Sequence, residues 1–234
     1  MKNSIKKWYQ VVIEPYIRDT KESVQSYKYS RPLSIALMLA LFVMAGFWGY
    51  RWWHRSREAA AQKALGECLY AYQEALQGKD ELAWGNVAML FNVGYEQHSS
   101  SALAPYFMMF YADSLLRKSD RAEAIAKMEE AINAAPADSP FINLFKTKLA
   151  LVKVDDDISA ISQEGLQLLK TLADDVDNTS RDMALYYLGL YYWTQDNLNE
   201  AKMIWQQLVD AFKHEKIGAS PWASLAHTKL EQIV

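Results

Sequence analysis

An uncharged run of nineteen residues, Pro32 to Tyr50, constrains the fold of this chain more than any other feature. At 1.5 Å per residue, a helix of this length spans about the 30 Å hydrocarbon core of a bilayer. A helix in the core of a globular domain would carry a polar stripe, whereas Ser34 alone interrupts the apolar surface here. The run therefore predicts a transmembrane helix over residues 32–53.

Charged and aromatic residues bracket this run at the positions where a membrane interface would lie. They are Arg31 before it and Trp48, Tyr50, Arg51, Trp52 and Trp53 at its end. A cleavable leader would have a shorter apolar core followed directly by a small-residue site, but the bulky segment WWHRSRE follows this run. The helix is expected to end near Trp53 and to be retained as a signal anchor.

The charge of the chain changes sign after this segment. Residues 1–57 contain ten Lys or Arg residues and three Asp or Glu residues, which gives a net charge of +7. Residues 58–234 contain fifteen Lys or Arg residues and twenty-five Asp or Glu residues, which gives a net charge of −10. Basic arms favour the cytoplasmic leaflet. We therefore expect a cytoplasmic arm over residues 1–31 and an external domain over residues 57–234. The inverted topology, with a domain facing the cytoplasm, stays open as an alternative.

The domain after the anchor has the pattern of an all-α protein. Helical segments of about 12–20 residues are separated by Gly, Pro and Ser or Asp clusters, without a stretch of alternating strand character. About nine helices are expected, one of them from Asp80 to Val93 with Gly94 as its end. The domain has no basic stripe, which argues against nucleic-acid binding, and its single cysteine, Cys68, excludes an internal disulfide framework.

Two segments of the domain resemble tetratricopeptide repeats. The first is APYFMMFYADSLLRKSDRAEAIAKMEEAINAAP, whose residues at the repeat positions are Ala112, Ala124, Met128, Ala131 and Pro136. The second is ALYYLGLYYWTQDNLNEAKMIWQQLVDAF, whose residues at those positions are Leu188, Gly189, Tyr192, Ala201 and Trp205. The equivalent alanines Ala124 and Ala201 are 77 residues apart, so a degenerate repeat should lie between them. This resemblance predicts a helical solenoid.

The second repeat has more aromatic residues than one packing face needs. Leu188, Gly189 and Tyr192 share one stripe of an ideal helix, which leaves Tyr187, Tyr191 and Trp193 on another. Tyr and Trp are enriched at binding hot spots, so these three residues are the candidates for contact with a partner. The alternative is that the following helix, around Trp222, covers them.

The sequence offers no pattern typical of a catalytic or metal site. His54, His98, His214 and His227 are scattered without ligand spacing, and the Asp155–Asp157 and Asp174–Asp177 clusters fall at predicted turns, where Asp caps the following helix. We therefore expect a protein that is not an enzyme and that binds neither cofactor nor metal.

Three features define the layout of the chain, namely the basic arm, the segment GFWGYRWWHRSREAAAQKALGECLYAYQEAL and the repeat that contains Ala201 and Trp205. With these features the chain resembles the YfgM-like family of ancillary Sec-translocon subunits, and the resemblance covers the chain from about Ile35 onward. This chain departs from the family in a longer arm and an extended region from Val154 to Asp177.

The resemblance implies a single-pass protein of the bacterial inner membrane, with a cytoplasmic N-terminus and a periplasmic domain. Its implied partners are Sec translocon subunits and a membrane-anchored periplasmic chaperone. The protein would help this chaperone to engage other proteins as they emerge. The alternatives are a structural scaffold subunit of another cell-envelope complex and a cytoplasm-facing membrane-bound regulator.

Overall fold

The structure, a computed structural model, describes residues 14–78, 82–136, 138–212 and 220–233, with side chains from residue 37 onward. The chain divides into two compact units, Met1–Arg57 and Glu58–Val234. Every regular element in the described ranges is an α-helix. In chain order the helices are α1 (Glu14–Gln77), α2 (Leu82–His98), α3 (Ala104–Arg117), α4 (Arg121–Ala134), α5 (Ile142–Val154), α6 (Ser159–Asp174), α7 (Arg181–Thr194), α8 (Leu198–Phe212) and α9 (Pro221–Glu231).

Helix α1 contains the whole segment that the sequence predicts as an anchor. The predicted helix end near Trp53 is wrong, because the following residues HRSREAAA include no Gly or Pro and the helix runs to Gln77. Among the described residues, no helix is both long enough and apolar enough to cross a membrane. The predicted span begins at residue 32 and is preceded by Arg31. The side chains of residues 31–36 lie outside the described part of the chain.

The second unit is a row of helix hairpins built around three buried clusters. The first cluster joins α1, α2 and α3 around Phe91 and Phe107, both fully buried. The second joins α3, α4 and α5 around Met108 and Met128, and the third joins α5 to α9 around Trp205. Because each helix buries its apolar stripe against its neighbours in the row, the sequence of short amphipathic helices produces a solenoid.

The small and bulky residues of the two predicted repeats lie where helices cross. Ala112, Ala124, Met128 and Ala131 are fully buried in the first repeat, and Ala201 and Trp205 are fully buried in the second. Leu188 and Gly189 are also buried, Tyr192 is half-buried and Pro136 is exposed.

The predicted end of a helix at Gly94 is wrong, because α2 continues to His98. Gly94 is buried, and a Cβ atom built on it would lie 2.5 Å from Cε1 of Phe107. The glycine therefore permits close packing of α2 on α3, and it does not end the helix.

The degenerate repeat predicted between Ala124 and Ala201 is the hairpin of α5 and α6. A Cβ on Gly165 would lie 2.5 Å from the backbone nitrogen of Val154 and 2.8 Å from the carbonyl oxygen of Ala150. Ala150 and Gly165 are thus the two small residues at which these helices cross. They are fifteen residues apart, against twelve for Ala112 and Ala124, because the turn around Asp155–Asp157 is longer.

Candidate functional site

The predicted contact residues lie on α7, which a polar link joins to α9. The Ser220 hydroxyl donates a hydrogen bond to Asp182 Oδ2 on α7 and accepts from the backbone N–H groups of Trp222 and Ala223 at 3.2 and 3.4 Å. Ser220 is therefore the N-cap of α9 and at the same time a partner of α7. This link fixes where the first turn of α9 lies against α7.

The inner face of α7 packs on the indole of Trp205. A Cβ on Gly189 would lie 2.4 Å from Nε1 of Trp205, so only glycine admits the ring at this depth. The same Nε1–H donates to the carbonyl oxygen of Tyr186 at 3.0 Å, and this bond satisfies the buried indole nitrogen. These contacts set the rotation of α7 and hence the direction in which its other aromatic residues point.

Tyr187, the first predicted contact residue, is half-buried beneath α9. Its ring centroid lies 5.3 Å from that of Trp222, and the ring of Tyr186 lies 5.4 Å from the same indole. Helix α9 therefore covers part of the Tyr187 side chain. Coverage by the helix around Trp222 is the alternative that the sequence left open.

Trp193, at the other end of α7, also contacts α9. The Lys229 ammonium lies 3.8 Å from the centroid of the Trp193 ring, and the ring of Trp205 is 6.2 Å away. A cation at this distance over an indole face is attracted by the ring electrons. Lys229 was not apparent from the sequence, because no periodic pattern relates it to α7.

Tyr191 differs from the other two in its surroundings. It is half-buried, and its ring contacts that of its neighbour Tyr192 at 5.5 Å. Tyr192 in turn lies 5.7 Å from the Lys170 ammonium on α6. The structure thus places Tyr187 and Trp193 against α9 and Tyr191 beside Tyr192.

A polar cluster that the sequence did not indicate crosses three helices at the other end of the row. Asp113 on α3 is only 8% exposed, and one of its carboxylate oxygens accepts a hydrogen bond from the Tyr72 hydroxyl on α1. The Lys148 ammonium on α5 lies 2.6 Å from the other oxygen. Burial and the hydrogen bond to Asp113 raise the pKa of Tyr72. Because both oxygens have partners, this cluster joins α1, α3 and α5 through a satisfied buried charge.

A second buried charge lies at the crossing of α4, α5 and α6. The Lys153 side chain is 5% exposed, and its ammonium lies 2.6 Å from Glu129 and 2.9 Å from Glu164. Burial acts to lower the pKa of Lys153, but the hydrogen bonds and charges of the two glutamates outweigh it, so the pKa is raised.

The predicted acidic clusters lie at turns between helices, but the prediction that their carboxylates cap the following helices is wrong, because Ile158 and Ser180 are the N-cap residues of α6 and α7. Asp156 Oδ1 accepts from the N–H of Ile158 at 2.9 Å, and Asp175 Oδ1 accepts from the N–H of Asp177 at 3.0 Å, so both act within turns. His214 lies outside the described residues. In the part of the chain with described side chains, no group of three or more His, Cys, Asp or Glu residues is arranged to hold a metal ion.

The predicted membrane-interface residues with described side chains, which exclude Arg31, are exposed on α1. The exposed fractions of Trp48, Tyr50, Trp52 and Trp53 are 74%, 64%, 72% and 50%. The Arg57 guanidinium lies 4.7 Å from the centroid of the Trp53 ring.

Comparison with known proteins identifies the repeat character of the chain. The family described as tetratricopeptide repeat-like domain matches residues 28–234. Among solved structures, one similar chain is a crystal structure of nearly identical tetratricopeptide-like repeats from Podosopora anserina, described as a kinesin light chain. It is 14% identical with a TM-score of 0.49, and the match covers 76% of this chain and 84% of that chain. No curated protein is significantly similar to the chain in sequence.

Proposed function

We propose that this chain, which belongs to the tetratricopeptide repeat-like domain family, is a non-enzymatic protein-interaction module held at a membrane by its N-terminal segment. The observation that carries the proposal is the family match over residues 28–234, joined to a row of helix hairpins in which the buried charges of the described residues have partners. Domains built in this way act through their surface, because neighbouring hairpins form an extended binding face.

The apolar side chains of α1 support the membrane anchor. Leu37, Phe42 and Val43 are 64%, 75% and 72% exposed, and no charged residue occurs between Leu37 and Tyr50. An apolar surface of this extent on one helix is unfavourable in water and favourable in lipid. In our proposal, residues 32–53 form a single span, residues 1–31 face the cytoplasm, and the repeat domain lies in the periplasm of a bacterium.

The resemblance to the YfgM-like family gives the proposed partners. They are Sec translocon subunits and a membrane-anchored periplasmic chaperone, and the module would bring that chaperone to proteins as they emerge. Anchoring raises the effective concentration of the module near the channel without any new contact.

Tyr191 is the residue at which this proposal can be tested with the least disturbance to folding, since Tyr187 and Trp193 both contact α9. We expect Tyr191→Ala to weaken binding by about 1–3 kcal/mol while changing the melting temperature little. Binding is measured by recovery of translocon and chaperone subunits with the detergent-extracted full chain. Tyr187→Ala should lower the melting temperature, because it removes the contact with Trp222.

Photo-crosslinking distinguishes this proposal from the alternatives. A photoreactive phenylalanine at Tyr191 should form adducts with translocon or chaperone subunits in intact cells. The matched control is the same residue at Phe141, which is 45% exposed on a different hairpin. Adducts with other envelope proteins alone would favour the structural scaffold. A C-terminal alkaline phosphatase fusion that is inactive would indicate the cytoplasm-facing regulator.

A further inference from the structure

An exposed arginine at the end of α3 lies against a tryptophan ring of α2. The Arg117 guanidinium is 5.5 Å from the centroid of the Trp84 ring. A guanidinium that stacks on a ring is restricted in its orientation, and its planar fork of N–H groups matches the two oxygens of a carboxylate. Among the described residues, Arg117 forms no ion pair with a carboxylate. The guanidinium is thus held in place without a carboxylate from the described part of the chain.

The polar cluster beside Arg117 contributes a second positive charge. Asp113, one turn before Arg117 on α3, already contacts the Tyr72 hydroxyl with one oxygen and the Lys148 ammonium with the other. Burial and the hydrogen bond to Asp113 raise the pKa of Tyr72, and the charge of Arg117 opposes this rise, so the guanidinium lies close to the hydroxyl. One carboxylate and two cations leave a net charge of +1 at this place. An added negative charge would therefore be attracted here.

Exposed apolar side chains lie next to Lys148 on α5. Leu144 is one turn before Lys148 and is 37% exposed, and Phe141 lies three residues before Leu144 and is 45% exposed. Residues at spacings of three, four and seven share one side of a helix, so these three side chains follow one another along α5. A segment that contacts Leu144 would have its neighbouring residue about 6 Å further along the helix, at Lys148.

We propose that Arg117 and Lys148 bind an acidic side chain of a partner protein, and that Leu144 binds an apolar side chain next to it. The charge of the domain favours a protein segment over a more highly charged ligand. Residues 58–234 carry a net charge of −10, which repels a nucleic acid or an anionic lipid surface, because either one brings many negative charges within about 10 Å of the domain. A single carboxylate contacts the two cations at short range, where their attraction is strongest.

Nuclear magnetic resonance of the full chain in mild detergent tests this proposal. The indole N–H signal of Trp84 reports on the site, and the variant Trp84→Phe identifies that signal. The probe is the tripeptide Leu-Glu-Leu with blocked termini, and Leu-Gln-Leu is its uncharged counterpart. We expect a saturable shift with the glutamate peptide and about tenfold weaker binding of the glutamine peptide, which cannot form charge-assisted hydrogen bonds. Equal binding of the two peptides would indicate an apolar contact alone and would overturn the proposal.

Two adjacent exposed cations provide a matched pair of variants. Arg117→Gln and Lys118→Gln make the same change in charge at the same end of α3. Arg117→Gln should weaken binding of Leu-Glu-Leu by about tenfold and Lys118→Gln by less than about twofold, because only the first removes the guanidinium over Trp84. Far-ultraviolet circular dichroism checks that both variants are folded. Equal weakening by the two variants would indicate a diffuse attraction and would contradict a site at Arg117.

Further titrations separate a protein segment from other sources of negative charge. Inorganic phosphate, or a change from neutral to anionic lipid around the reconstituted chain, should shift the Trp84 signal much less than Leu-Glu-Leu does. A shift as large as that of the peptide would identify a general anion site and refute the proposal, as would the lack of any shift at about 10 mM peptide. Tyr191→Ala should leave binding of the peptide unchanged, so this site and the proposed contact on α7 can each fail without the other.

Discussion

At the scale of single residues, two hairpin turns contain the same uncommon backbone conformation. Ser119 and Asp196 have φ angles of 64° and 59°, and each lies five residues before the small alanine of the next helix. In both turns the following N–H closes the helix end, as in the 2.9 Å bond from Asn197 to the carbonyl oxygen of Tyr192. The left-handed conformation costs a residue with a Cβ atom about 1 kcal/mol, and glycine avoids this cost.

We therefore expect Asp196→Gly to stabilise the protein by about 0.5–1 kcal/mol. The free energy of unfolding in urea measures this change. Asp157→Gly is the control, because Asp157 is an exposed turn residue outside the left-handed region, and glycine there should give no gain. A glycine variant at residue 196 that is less stable than the wild type would contradict the role of the turn.

Gly165 gives a second prediction at this scale. An alanine there would place its Cβ 2.5 Å from the backbone nitrogen of Val154, so α5 and α6 would have to separate. We expect Gly165→Ala to lower the free energy of unfolding by about 1–3 kcal/mol. At Gly66, where no atom lies within 4 Å of a Cβ, the same substitution should stabilise α1 by about 0.5–1 kcal/mol. Two variants of equal stability would show that the close approach at Gly165 is unimportant.

At the scale of helices, Lys153 joins α4, α5 and α6, and its raised pKa predicts how stability changes with pH. The folded pKa lies above the unfolded value of 10.5, so the contribution of Lys153 is complete below that pH and is lost as the pH rises through the folded pKa. Stability should therefore fall above pH 10.5. Lys153→Met should reduce the loss of unfolding free energy at high pH. The control is Lys63→Met, which removes an exposed ion pair with Glu67 and should leave that loss unchanged. Unfolding in urea at about pH 8 and at about pH 11 measures the difference.

Most of the helices could be predicted because their signals are local, whereas the contacts that position them are not. The spacing of Leu188, Gly189 and Ala201 indicated the packing face of the last repeat, since one helix surface determines it. The prediction for Gly94 is wrong because a glycine that ends a helix and a glycine that admits a ring such as Phe107 have the same sequence context. The Tyr72–Asp113–Lys148 cluster lies on three helices, and its two contacts join residues 41 and 35 positions apart, which no periodicity relates. No periodicity relates Trp222 to Tyr187 either, so the sequence left open whether Trp222 covers Tyr187.

At the scale of the whole repeat domain, the three buried clusters form one row in which neighbours share residues. Tyr95 and Tyr111 pack against both the first and the second cluster, and Leu168 packs against both the second and the third. Each cluster therefore depends on the next one and not directly on the cluster at the far end. In such an array the loss of one unit spreads to its neighbours and weakens with distance.

This arrangement predicts that damage at one end of the row leaves the other end folded. Trp205→Leu removes a fully buried indole and its hydrogen bond to Tyr186, at a cost of about 3 kcal/mol, so amide hydrogen exchange should quicken most in α7, α8 and α9. Phe91→Leu, at a fully buried site in the first cluster, should show the opposite pattern, with the fastest exchange in α2 and α3. If either variant raised exchange equally in all helices, the domain would unfold as one unit, because coupling between the clusters would then exceed the stability of each cluster.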